Sequence, residues 1–180
     1  MNNYSGAQLA SALHSLDVDF VLSDKETTSS LKRNPLRLII ALAESDEARL
    51  RLSLIPLFLR HPEYSKYVRS AARAASPAAR LTLQCFYTAA VWLQRKYEQR
   101  LANVIGKKTT LPNLFGKDLM LSTQKNPDEN LEFLARRHQE LSKKHINWLG
   151  TYEHGAQRFM VHLEKQKHGR TRRRTNPGFP

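Results

Sequence analysis

Cysteine is almost missing from this chain: Cys85 is the only one among 180 residues. A lone thiol forms no intramolecular disulfide and no thiolate cluster for structural zinc, so a reducing, cytoplasmic setting is expected. Long apolar runs are missing too. The longest, "LRLIIALA" and "LSLIPLFL", fall far short of the roughly 20 residues that span a bilayer. The opening "MNNYSGAQLASALHSL" lacks both the basic region and the continuous apolar region of a secretory signal, so no membrane association is expected. Glycine is sparse, with seven residues too scattered to cradle a phosphate, and no P-loop, GxGxxG, HExxH, EF-hand loop or nucleophile elbow occurs. The sequence therefore nominates no catalytic residue, no metal ligand and no cofactor.

Acidic residues are scarce relative to basic ones, 16 against 29, for a net charge of +13. The imbalance is local. Nine basic residues between Lys66 and Lys108 face one acid, Glu98, and the closing "EKQKHGRTRRRTNPGFP" holds six against Glu164. Such asymmetry points to an acidic protein partner or to nucleic acid.

What is abundant is helical punctuation. Ser5 suits the N-cap of a helix with Leu9, Leu13 and Leu16 on its apolar face, and "VDFVL", Val18–Leu22, reads as a strand or a buried connection. Asn34–Pro35, Ser76–Pro77 and Asn126–Pro127 each place a capping oxygen before an N1 proline. Ser45, with Asp46 and Glu47, opens a helix that Pro56 should kink and Pro62 should end. From Pro77 to Ile105 the apolar residues recur every three or four positions, which predicts a long central helix closed by Gly106. The connection that follows should pack Leu111, Leu114, Phe115, Leu119, Met120 and Leu121 onto the body. The helix after Asn126 presents Leu131, Leu134, His138, Leu141, His145 and Trp148 inward. His138 and His145 lie two turns apart, roughly 10 Å, too far to share one ion, and read as buried, hydrogen-bonded histidines. Gly150 should interrupt, Thr151 restart, and a last helix bury Tyr152, Ala156, Phe159, Met160 and Leu163. The expected fold is an all-α single-domain bundle of six to eight helices over residues 1–169, with Phe86, Leu93, Tyr97, Leu134, Leu141 and Phe159 in the core. A basic disordered tail, 170–180, should follow.

Three sets of residues are candidates for binding. Lys66, Arg69 and Arg73 share a helix face suited to tracking phosphates, with a solvated face as the alternative. In "HINWLGTYEHGAQRF", Asn147 and Thr151 lie one turn apart, and His154, Arg158 and His162 repeat at i, i+4 down one face. The His–Arg–His face could bind phosphate, with a solvated face as the alternative, and the stretch as a whole either lines a recognition surface or finishes a corner between helices. Arg172, Arg173 and Arg174 in the tail supply nonspecific attraction.

The segments "LIPLFLRHPEYSKYV", "LQCFYTAAVWLQRKYE" and "NWLGTYEHGAQRF" resemble parts of small uncharacterised bacterial helical proteins associated with nucleotidyltransferase-type genes, in arrangements similar to toxin–antitoxin modules. That resemblance implies the helical companion of such an enzyme and carries over no functional residue. Helical ribonucleases of the HEPN family share this setting and use an arginine followed by four to six residues and a histidine. Arg158 and His162 have three residues between them. The expected order is a non-enzymatic interaction protein first, a nonspecific nucleic-acid binder second and a ribonuclease third. Apolar residues left exposed would favour the first, a continuous basic face the second, and a concave site holding Arg158 and His162 the third.

Overall fold

The structure is a computed structural model that describes residues 4–18, 31, 33–122, 124 and 126–174, with the backbone alone from 170 onward. The protein is all-α, and no strand occurs among the described residues. Its helices are α1 (Gly6–His14), α2 (Pro35–Glu44), α3 (Ala48–Leu52), α4 (Leu54–Arg60), α5 (Ser65–Ala74), α6 (Pro77–Lys96), α7 (Glu98–Ile105), α8 (Pro127–Ser142) and α9 (Trp148–Arg174), with a 3₁₀ turn at Pro62–Tyr64. Of the Val18–Leu22 segment only Val18 is described. It is buried, and its N–H donates to the Leu13 carbonyl at 3.0 Å.

The capping patterns act as expected. Ser5 and Gln8 exchange side-chain and backbone hydrogen bonds in a capping box. Asn34, Ser76 and Asn126 accept from backbone N–H groups in the first turns of α2, α6 and α8. Ser45 behaves differently: it closes α2, and its hydroxyl accepts from Glu47 N–H ahead of α3, so that helix begins at Ala48. The chain turns at Ser53, three residues before Pro56, because a proline lacks the N–H for the i−4 bond and its ring crowds that carbonyl.

At the centre lies α6, which packs against α2, α4, α5, α8 and α9. Nine consecutive residues, Cys85 through Leu93, are buried, so the helix is enclosed on every side in its middle turns. Burial pushes the Cys85 thiol well above its usual pKa. The expected single helix to Ile105 is broken at Tyr97, which leaves helical geometry at φ −108° and ψ 23°. Its hydroxyl donates to Glu153 at 2.6 Å and accepts from Gln157 at 2.8 Å, both on α9. The same seam continues with Lys96 on Asp128 and Glu153, and Arg100 on Gln157 and Glu164. Gly106 ends α7 at φ 75°, a conformation that favours glycine.

Phe86, Leu93, Leu134 and Phe159 are in the core, whereas Tyr97 is half-buried and Leu141 is 40% exposed. In the connection after α7, Leu111, Phe115 and Leu119 are buried and Leu114 and Leu121 partly so, but Met120 points outward. The boundary expected at Gly169 falls inside α9, whose backbone continues to Arg174; residues 175–180 lie outside the described ones. No helix among the described residues is long and apolar enough to cross a membrane.

Candidate functional site: an apolar groove with a basic rim

The corner between α8 and α9 differs from the sequence reading. Helix α8 stops at Ser142, and Lys143 takes a left-handed conformation at φ 55°, about a turn and a half before Trp148. His145 is consequently exposed rather than an inward-facing core histidine, and Leu141 is at the mouth of a groove. Asn147, not Thr151, starts the next helix: its side-chain oxygen accepts from Gly150 N–H at 2.8 Å and its carbonyl from Thr151 N–H at 2.9 Å. Gly150 therefore lies inside α9 and interrupts nothing. Gly155, one turn further, lets α9 close onto α3 and α4, since a Cβ there would stand 3.1 Å from Leu52 Cδ1.

This corner forms one wall of a groove of about 560 Å³. The opposite wall is α3 and the first half of α6, with Leu52, Leu81 and Phe86 facing Leu141, Ile146 and Trp148. Aromatic stacking fixes the floor. The His138 ring lies flat on Trp148, centroids 3.6 Å apart and planes 20° apart, while Phe86 meets His138 and Tyr152 edge to face at 6.0 and 5.9 Å. His138 Nδ1 is 2.7 Å from the Tyr152 hydroxyl. Burial, and secondarily the charge of Lys144, push the His138 pKa down to about 3, so the ring is neutral at physiological pH. Arg49, Arg51 and Lys144 line the groove, and among the described residues no acidic one does. Arg49 reaches back to Glu47 at 2.7 Å, and Arg51 donates to the Ser45 carbonyl at 2.6 Å.

The residues nominated from sequence do not converge. Lys66, Arg69 and Arg73 are exposed on α5. Arg69 donates to the Leu114 carbonyl at 2.8 Å, Arg73 meets the Ser70 hydroxyl, and Lys66 lies over the Tyr67 ring. Asn147 is the α9 cap, and Thr151, whose hydroxyl donates to the Asn147 carbonyl, lines the groove. His154 and Arg158 are exposed further along α9, and His162 is half-buried against Gln166. Arg172, Arg173 and Arg174 stand on the final turn of α9. A second cleft of about 590 Å³, between the end of α6, α7 and the following connection, carries Arg95, Lys96, Lys107 and Lys108. Neither Arg158 nor His162 lines this cleft or the groove.

Thr151 apart, the groove residues were not nominated from sequence, because apolar spacing marks which residues are buried, not which are left at a rim. One signal was available: Ile146 is an isolated apolar residue within the polar run "KKHIN". Among the described residues no group of three or more His, Cys, Asp or Glu is placed to hold a metal ion. No protein-family model, curated protein or solved structure matches this chain.

Proposed function

We propose that this protein is a non-enzymatic interaction protein that holds an acidic protein partner at the groove between α3, α6, α8 and α9. A single observation carries the reading. Leu141 and Ile146, 40% and 42% exposed, flank an apolar floor and adjoin three basic residues. Exposed apolar surface rimmed by charge is the usual character of a protein contact. The nucleotidyltransferase-type companion implied by the sequence resemblance is the first partner to test. The ribonuclease alternative is the reading least favoured here, because neither Arg158 nor His162, about two and three turns beyond Thr151 on α9, lines the groove or the cleft.

The experiment is site-specific crosslinking in the cells of origin, with benzoylphenylalanine in place of Ile146. One crosslinked protein partner is expected, lost when Leu141→Asp is added. Crosslinks to nucleic acid alone would transfer the reading to the second candidate, a nonspecific nucleic-acid binder, which the Lys107 and Lys108 cleft favours. No crosslink at all would overturn the groove as a contact.

A further inference from the structure

The groove has a polar group on its floor whose protonation follows from its neighbours. Among the described residues the buried Tyr152 hydroxyl has one hydrogen-bond partner, His138 Nδ1. A buried O–H left without an acceptor is costly, so the hydroxyl donates and Nδ1 accepts. A neutral imidazole that accepts at Nδ1 carries its proton on Nε2. That N–H has no partner among the described residues, belongs to a groove-lining side chain, and is not among the fully enclosed unsatisfied atoms. Lys144 lines the same groove, and its charge reaches His138. An N–H donor and an ammonium close enough to act on it thus line one groove that also holds Arg49 and Arg51, and a carboxylate is the group complementary to them.

The trough also has a shape. Its α6 wall runs from Pro77 to Phe86, about 14 Å along the helix axis, enough to lie beside two to three turns of another helix. Leu141 and Ile146, which line the groove, are also 40% and 42% exposed, so its apolar surface continues to the mouth, where a helix lying along it would reach them. An amphipathic helix offers apolar residues at i, i+3 or i+4, and i+7 to such a surface.

Resting on the interaction reading above, we propose that the groove seats an amphipathic helix of the partner, and that an Asp or Glu carboxylate on that helix accepts from His138 Nε2 and pairs with Lys144. Specificity comes from the carboxylate: a neutral or basic residue at that place leaves the His138 donor unmet or brings a second cation beside Lys144.

The test selects phage-displayed, surface-randomised single helices against the full chain. Expected winners combine Leu, Ile or Met at helical spacing with an adjoining Asp or Glu. Changing that acid to its amide, or Lys144→Ala in the protein, should each weaken binding on the order of tenfold, and the two losses should not add. Lys144 is exposed, so its variant keeps the fold. In ¹⁵N-labelled protein the His138 Nε2 resonance should move with the acidic helix and stay put with its amide counterpart. Winners that need the groove, losing binding with Leu141→Asp or Ile146→Asp, but ignore both the acid and Lys144 would overturn the carboxylate pairing and leave the interaction reading intact. Failure to recover any groove-dependent helix would overturn the helix proposal, and decanoate shifting His138 in that case would reassign the trough to small amphipathic acids. The Ile146 crosslink then decides the interaction reading separately.

Discussion

His138 is held neutral by its position, and that has a cost measurable in acid. The folded ring has a pKa of about 3 against an ordinary 6.5, so the unfolded chain takes up the proton first as pH falls. The stability that comes from keeping it neutral is fully present above about pH 6.5. It should erode by up to ~1.4 kcal/mol per pH unit on the way down toward 3. Urea unfolding at pH 7.5, 6 and 5 should show this slope, and His138→Phe, which keeps a ring against Trp148, should flatten it. The window avoids Glu164, whose carboxyl Arg100 holds below its usual range. An unchanged slope in the variant would mean that another group is responsible.

The corner between α8 and α9 shows how much of each helix can be read from local chemistry. Asn147→Ala should lose about 1 kcal/mol with the cap, whereas His154→Ala, on the exposed face, should stay within about 0.5 kcal/mol; thermal unfolding of the two variants compares them. The caps at Ser5, Asn34, Ser76 and Asn126 were legible because an N-cap is written within four residues. The local pattern placed the start of α9 at Thr151, whereas the cap is Asn147, one turn earlier, and packing against α3 and α4 through Gly155 accompanies that start. The stop at Lys143 carries neither the glycine nor the asparagine that usually announces a left-handed residue, so the apolar spacing ran on past it to His145 and Trp148. Tyr97 is a similar case. Its partners Glu153 and Gln157 lie more than fifty residues away, beyond any local window.

At the scale of the molecule the helical bundle was legible and the groove was not, since four segments separated by up to a hundred residues meet there and each looks ordinary alone. Charge acts at this scale too. The formal +13 should hasten encounter with an acidic partner, because opposite net charges steer diffusion and salt screens them. Replacing Lys66, Arg69 and Arg73 by Glu should lower the association rate several-fold and flatten its salt dependence while leaving dissociation nearly unchanged. Leu141→Asp should do the reverse, and surface plasmon resonance separates the two. One thiol, enclosed in the middle of α6, adds a natural clock. A soluble disulfide reagent cannot reach Cys85 until α6 parts from its neighbours, so the labelling rate of the native protein should follow cooperative opening and not surface breathing. If a bound helix closes the groove, the same reagent should slow in proportion to occupancy, and the chain would report its own ligation without any attached probe.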